Sequence, residues 1–250
     1  MKNLILLLSL SFLTVQLHAA DPPRRPNVLF LLVDDLGWTD LGCFGSDLYE
    51  TPNIDRLAAK GVKFTSAYAA CTVCSPTRAA VLTGKYPARL HVTDFIPGHG
   101  IQNTPLKMPD WTHKLEHKQV TIAEALKPAG YKTAHIGKWH LTPRDSQPHP
   151  EFWPQTQGFD LNIGGFQAGA PGSYFWPYGR GKDKQQGRVI NLPPGGAQGE
   201  YLTERLTDEA LSILDQWKDD PFFIYFAYYT VHTPTVRVSS SYRRTVVYSV

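Results

Sequence analysis

The sequence predicts an α/β fold in which helices cover both faces of a mostly parallel sheet. Two observations carry this prediction. Apolar runs alternate with segments of helical periodicity along the 250 residues, the order that produces parallel sheets. Apart from Asn27, the runs at 26–33 and 222–229 are continuously apolar, as strands buried on both faces are. Apolar residues also make up 42% of the chain, enough for a substantial core.

The N-terminal elements begin with a strand over residues 26–33, which ends at a turn. Thr51 and Pro52 then predict the start of a helix, because Thr is a good N-cap and Pro is favoured at the first helical position. Gly61 ends that helix. We expect a second strand over residues 62–68.

The middle of the chain gives three further elements. A helix is expected over residues 76–82, closed by Gly84. Thr121 and Glu124 form a capping box at the start of a helix that runs to Gly130. The next strand covers residues 131–136.

The last elements flank a long segment without clear periodicity. Residues 142–198 are rich in Gly, Pro and aromatic residues, and such long irregular segments are often functional. Residues 202–217 carry an apolar stripe at helical spacing, and a buried strand follows over residues 222–229.

The charge balance argues against a nucleic-acid partner. The net charge is only +3, from 25 basic and 22 acidic residues, and no long Lys/Arg run is present. Charged residues amount to 19%, whereas Gly and Pro number 20 each. This composition favours a globular enzyme with long loops over a disordered or coiled-coil protein.

Residues 1–20 have the pattern of a secretory signal peptide. Lys2 precedes an apolar run over residues 4–15, and small residues Ala19 and Ala20 come next. The alternative is a membrane anchor, but the run is short for a bilayer. No later segment is long and apolar enough to span a membrane, so we expect a secreted or periplasmic protein.

Three cysteines, Cys43, Cys71 and Cys74, leave at least one thiol unpaired in an oxidising compartment. The spacing of Cys71 and Cys74 also suits a redox or zinc site. Zinc needs a second ligand pair, which Cys43 alone does not supply. Pro76 instead places Cys74 at a helix N-terminus, which lowers a thiol pKa and favours anions. Arg78, one turn later, can reach the same site.

Asp34 and Asp35 directly follow the first expected strand. Ligands of open α/β sheets bind at the carboxyl ends of the strands. Two adjacent carboxylates there suit a hard cation such as Ca²⁺ or Mg²⁺. The alternative is a turn in which Asp caps a helix.

The segment 74–84, CSPTRAAVLTG, resembles the signature of the type I sulfatases, which belong to the alkaline phosphatase superfamily. In that family a maturing enzyme, such as the formylglycine-generating enzyme, oxidises the motif cysteine to formylglycine during export. The hydrated aldehyde attacks sulfur, and its second hydroxyl then expels sulfate. The resemblance implies that Cys74 is the precursor of the nucleophile and that Arg78 is a catalytic residue, whereas Cys71 lies outside the motif.

The resemblance continues in four segments: 26–37, 51–58, 137–141 and 231–234. It implies that Asp34, Asp35 and the modified Cys74 are ligands of Ca²⁺, with Mg²⁺ as the alternative. It also implies that Lys138 binds a sulfate oxygen.

Two histidines complete the implied site. His140 holds the hydrated aldehyde and accepts its proton, whereas His232 binds substrate and protonates the leaving oxygen. The plain alternatives are an exposed loop Lys138 and core or surface histidines, since the chain has nine. A shared position after predicted strands favours a joint active site for Asp34, Asp35, Lys138, His140 and His232.

Residues 91–98, HVTDFIPG, resemble sulfatases that act on sulfated sugars. Together with the irregular segment 142–200, they make a carbohydrate sulfate ester the leading substrate. The rivals are a phosphomonoester, phosphodiester or phosphonate hydrolase of the same superfamily, and an inactive relative that binds sulfated glycans.

The domain expectation is an incomplete N-terminal catalytic domain over residues 26–234, followed by an unmatched tail over 235–250. In the resembled family, further metal ligands, a second sulfate-binding Lys and a smaller C-terminal domain usually follow. The chain is therefore expected to be either a fragment or frame-disrupted product, the favoured explanation, or an inactive relative. With so few metal ligands and open sheet edges, we expect low stability and little activity.

Overall fold

A computed structural model describes residues 25–100, 103 and 105–233. Its centre is a sheet of four strands: β1 (Val28–Leu32), β2 (Lys132–Gly137), β3 (Leu161–Ile163) and β4 (Phe222–Ala227). The strand order is β1-β4-β2-β3, and every neighbouring pair is parallel. The predicted parallel sheet is therefore confirmed.

In the described part of the chain, five α-helices accompany the sheet: α1 (Pro52–Lys60), α2 (Cys74–Thr83), α3 (Pro87–Leu90), α4 (Ile122–Leu126) and α5 (Leu202–Trp217). Short 3₁₀ turns lie at Gly42–Phe44, Lys127–Ala129, Pro150–Phe152 and Pro154–Gln157. Among the described residues, no helix has the length and apolar character needed to cross a membrane. The expected signal peptide over 1–20 and the tail over 235–250 lie outside the described residues.

The expectation that β1 is buried on both faces is wrong, since Leu29 and Leu31 are 43% and 48% exposed. Helices nevertheless cover both faces of the central part of the sheet, as the sequence predicts. The central strand β4 shows this, because its side chains alternate between two buried clusters. Phe222, Ile224 and Phe226 belong to the cluster that contains the apolar stripe of α5. Phe223, Tyr225 and Ala227 belong to the cluster on the other face, which contains residues of α2 and α4.

The helix-start signals are confirmed to different degrees. The capping box is present in full: Thr121 Oγ1 accepts from the Glu124 amide at 3.1 Å, and Glu124 Oε2 accepts from the Thr121 amide at 2.8 Å. Thr51 precedes α1 as expected, but its hydroxyl accepts from Gly42 and donates to Asp55 and does not cap the helix.

The predicted strand over residues 62–68 is wrong. This segment forms no regular element, and Val62, Phe64 and Tyr68 are 80%, 71% and 90% exposed. Alternating apolar residues form a strand only where a neighbouring strand and a buried face receive them. Within the described residues the outer edge of β1 pairs with nothing. Conversely, β3 was not expected, because its three residues are too short to show a period.

Candidate active site

The ends of three parallel strands bring the expected site residues to one edge of the sheet. Leu32 of β1 and Gly137 of β2 both pair with Ala227 of β4, so the three strands end at the same level. The chain that leaves β1 carries Asp34 and Asp35, and the chain that leaves β2 carries Lys138 and His140. The segment after β4 carries His232. The predicted convergence therefore holds for the strands that position these residues.

Cys74 lies at the centre of this edge as the first residue of α2. The Nζ atom of Lys138 lies 3.3 Å from its Sγ atom. Ligand atoms of Cys74, Asp34 and His232 all lie within 4.8 Å of one another. All three cysteines are free, so Cys74 is not half of a disulfide with Cys71.

Asp34 is the anionic centre of the site. Arg78 Nη2 lies 3.0 Å from one of its carboxylate oxygens, and Lys138 Nζ contacts the other. Arg78 Nη1 also donates to the carbonyl of Lys138 at 2.8 Å. Burial alone would raise the pKa of Asp34, but the charges of Arg78 and Lys138 lower it below its usual value, so the carboxylate is ionised.

Lys138 is fully buried, and the alternative of an exposed loop lysine is therefore wrong. Its ammonium bridges Asp34 and Cys74. Although burial raises the pKa of the Cys74 thiol, the hydrogen bond with His232 and the charge of Lys138 lower it overall. The site consequently stabilises negative charge at position 74.

His232 is partly buried beside Cys74. The hydrogen bond with Cys74 raises the pKa of its imidazole despite the opposing effect of burial. Its Nε2 atom lies 3.9 Å from an oxygen of Asp35. The raised pKa suits a group that carries a proton, as the implied general acid must.

Tyr174 is a positioning residue that the sequence did not reveal. Its buried hydroxyl lies 2.8 Å from the carbonyl of Tyr229 and 3.0 Å from that of His232, and it donates toward both. Tyr174 thus fixes the backbone that presents His232. It lies in the irregular segment 142–198, where no periodicity marked any single residue, so only the fold could identify it.

His140 is buried beside the site. Its Nε2 atom lies 2.5 Å from the carbonyl oxygen of Ile96, and its buried Nδ1 has no partner in the described part of the chain. Burial, reinforced by the charge of Lys138, lowers the pKa of His140 to about 3. The imidazole is therefore neutral, and its contact with the residue at position 74 stays a prediction.

Asp35 lies at the rim of the site, with a side chain that is 55% exposed. Asp35 and His140 both have left-handed backbone conformations, with φ values of 58° and 56°. Such conformations in residues other than glycine cluster at functional sites.

The site offers oxygen donors of the kind that a hard cation needs. Asp34 and Asp35 offer carboxylate oxygens, which Ca²⁺ and Mg²⁺ prefer, whereas a cysteine sulfur is a soft donor. Position 74 fits such a cation only when it carries oxygen in place of sulfur. The donor class then fits at all three positions, although Ca²⁺ takes about six to eight oxygen ligands.

The sequence of the chain identifies its family. The sequence profile of the Sulfatase family matches residues 26–247. The chain therefore belongs to the sulfatase family. The match continues past residue 234, where the resemblance described above ends.

Known proteins agree with this assignment. N-acetylgalactosamine-6-sulfatase from Sus scrofa is 37% identical over 248 residues, which cover 93% of this chain and 44% of that protein. The solved structure of Ps i-CgsB in complex with k-i-k-neocarrahexaose is 32% identical, with a TM-score of 0.65, and the match covers 84% of this chain and 46% of that one.

A third similar protein was solved in complex with its substrate D-glucosamine-2-N,6-O-disulfate. It is 27% identical, with a TM-score of 0.55, and the match covers 84% of this chain and 35% of that one. The chain thus spans less than half the length of these relatives, and it shares its fold with the two solved structures.

Proposed function

We propose that this site hydrolyses a sulfate ester, with position 74 oxidised from cysteine to formylglycine. The observation that supports this most strongly is the position of Cys74. It is the first residue of α2, it contacts the buried Lys138, and it lies within 4.8 Å of ligand atoms of Asp34 and His232. Formylglycine supplies, as its hydrate, an oxygen nucleophile that cysteine lacks.

The cationic groups have separate roles in the proposal. Lys138 reaches the position-74 side chain and provides the charge that receives a sulfate oxygen. Arg78 is bonded to Asp34 and to the carbonyl of Lys138, so it holds Lys138 in place. The free amides at the start of α2 add partial positive charge at the same point.

The two histidines of the site, His140 and His232, act in proton transfer. His232 has a raised pKa and lies beside the nucleophile position, so it donates a proton to the leaving oxygen. His140 is neutral and accepts a proton. This division follows the principle that neighbouring titratable groups with pKa values shifted in opposite directions act as acid and base.

A divalent cation, Ca²⁺ with Mg²⁺ as the alternative, would be held by Asp34, Asp35 and the oxygen at position 74. When bound, it supplies positive charge that offsets the charge of the sulfate group. Asp34 is ionised in the absence of the cation because of Arg78 and Lys138, so its carboxylate is ready to bind.

A sulfated carbohydrate is the proposed substrate, in line with the names of the relatives, which include an N-acetylgalactosamine-6-sulfatase and a protein bound to a disulfated glucosamine. The proposed partners are this substrate and a formylglycine-generating or other sulfatase-maturing enzyme. The signal-like pattern of residues 1–20 supports a secreted or periplasmic location.

The proposal is tested by comparing an aryl sulfate with an aryl phosphate that has the same leaving group. The chain is produced in a host with a maturing enzyme and assayed with added Ca²⁺, beside a Cys74→Ala control. We expect slow turnover that strongly favours the sulfate and that disappears in the control. Faster release from the phosphate, or equal release from Cys74→Ala, would contradict the proposal.

A further inference from the structure

Ser75, the residue after the nucleophile position, joins two other segments of the site. Its side chain is fully buried. The hydroxyl donates to the carbonyl of His140 at 2.8 Å and accepts from the amide of Ile96 at 3.1 Å. One hydroxyl thus uses its proton and one lone pair to tie the start of α2 to the segment after β2 and to residues 91–98.

The backbone of Ile96 in turn contacts the side chain of His140. Its carbonyl oxygen lies 2.5 Å from Nε2 of the His140 ring. A carbonyl oxygen can only accept a hydrogen bond, so Nε2 must carry the proton. The three residues Ser75, Ile96 and His140 therefore form a closed ring of hydrogen bonds, which we call the Ser75 ring.

The other nitrogen of His140 is left with a free lone pair. The neutral imidazole that burial favours has one proton, and Nε2 holds it, so Nδ1 is an acceptor. Nδ1 is buried and has no partner among the described residues. A buried acceptor without a partner is costly in most proteins and calls for an explanation, and for a histidine at this site a role in proton transfer is one that accounts for it.

Gly169 lies against the His140 ring. A Cβ atom built on Gly169 would lie 2.7 Å from Nδ1 and 2.8 Å from Nε2 of His140. Both distances are shorter than any real contact of this kind. A side chain at position 169 would therefore displace the imidazole, and glycine is needed there for space.

We propose that Ser75 is a positioning residue that fixes the His140 imidazole with its proton on Nε2 and so leaves Nδ1 as the proton acceptor of the site. The inference rests on the proposed function only for the use that the reaction makes of Nδ1. It also gives residues 91–98 a role apart from sugar recognition, because the Ile96 backbone orients a site histidine.

The test is nuclear magnetic resonance of the full 250-residue chain labelled with ¹⁵N-histidine, at neutral pH. Imidazole nitrogens report directly which of them carries a proton, and a hydrogen-bonded Nε2 proton stays visible because it exchanges slowly with water. The signals of His140, one of nine histidines, are assigned by their loss in His140→Gln. The variants are Ser75→Ala and Ser75→Thr. Thr83→Ala serves as the matched control, since it removes a hydroxyl from the same helix that donates only to Ala79.

We expect the parent chain, Ser75→Thr and Thr83→Ala to show a protected Nε2 proton on His140, and Ser75→Ala to lose it. A parent spectrum with the proton on Nδ1, or with a charged ring, would overturn the proposal without any variant. So would a folded Ser75→Ala chain that retains the parent signals. Absence of sulfate-ester hydrolysis would count against the proposed function alone, because the spectrum does not depend on turnover.

Discussion

At the scale of single residues, Lys138 links the charges of the site, since its buried ammonium contacts both Asp34 and Cys74. We predict that Lys138→Met slows alkylation of the unmodified Cys74 thiol at neutral pH. The physical reason is that the positive charge and hydrogen bond of Lys138 lower the pKa of that thiol. The rate is measured by mass spectrometry of the alkylated peptide.

The control for this prediction is Lys118→Met, which removes a lysine whose side chain is 71% exposed and bonded to Glu116. It should leave the alkylation rate unchanged. Equal rates in Lys138→Met and the parent chain would show that the ammonium does not act on the thiol.

Two buried histidines predict how stability depends on pH. Burial, helped by the charge of Arg78 for His135 and of Lys138 for His140, lowers both pKa values to about 3. In the unfolded chain the same groups titrate near their ordinary value of about 6.5, so the unfolded state binds more protons between these limits. The free energy of unfolding should therefore fall by about 1.4 kcal/mol per pH unit for each histidine as the pH drops below about 6.5.

Urea unfolding at a series of pH values measures this slope. His135→Phe retains an aromatic ring beside Tyr225 and Trp139 but cannot be protonated, so it should reduce the slope by about 1.4 kcal/mol per pH unit. A slope that is identical in the variant and the parent would mean that His135 is not held neutral.

At the scale of elements, the capping box fixes the start of α4. Thr121 Oγ1 accepts from the Glu124 amide and donates to the carbonyl of Gln157 at 2.8 Å. Thr121→Ala removes both bonds at a buried position, and we expect it to lower the free energy of unfolding by about 1–3 kcal/mol. Thr121→Ser keeps the hydroxyl and should cost much less in the same urea titration; an equal loss in both variants would contradict the capping role.

Gly137 controls the end of β2, directly before Lys138. Its φ is +91°, and a Cβ atom there would overlap the carbonyl of Ala227 on β4. We predict that Gly137→Ala lowers the free energy of unfolding by more than about 2 kcal/mol, because strain at positive φ and a backbone clash add together.

Gly45→Ala is the matched control, since Gly45 has φ +97° but nothing within 4 Å of the added atom. It should show the backbone strain alone, about 1 kcal/mol. Thermal or urea unfolding of the two variants separates the cost of backbone strain from the cost of the clash with Ala227. A loss at Gly137 no larger than the loss at Gly45 would mean that β2 shifts to relieve the clash.

The elements that the sequence predicted correctly are those marked by a pattern within a short stretch of residues. The capping box of α4 and the apolar stripe of α5 are properties of short stretches of chain, and both are present. The expected strand over 62–68 depended on a neighbour that local sequence does not specify, and it is absent. The three-residue strand β3 carried no pattern at all.

At the scale of the whole molecule, a parallel sheet explains how the sequence could predict that most residues of the proposed site lie close together. At one edge, strand ends are followed by five of the predicted site residues: Asp34, Asp35, Lys138, His140 and His232. Helix α2 begins there with Cys74 and carries Arg78 one turn later, so the topology gathers them. The hydrogen bonds that support the site residues could not be predicted. Those of Ser75, Ile96 and Tyr174 join residues that lie 21 to 65 positions apart in the sequence. Such contacts exist only in the folded chain.

The central claim concerns one side chain, and one peptide tests it. Trypsin cleavage after Lys63 and Arg78 releases residues 64–78, which contain both Cys71 and Cys74. Mass spectrometry of this peptide, from chain made with a sulfatase-maturing enzyme, should show that position 74 has lost its sulfur and reacts as an aldehyde. Cys71, the internal control, should keep its thiol. An intact thiol at Cys74 under these conditions would contradict the assignment of this residue as the precursor of the nucleophile.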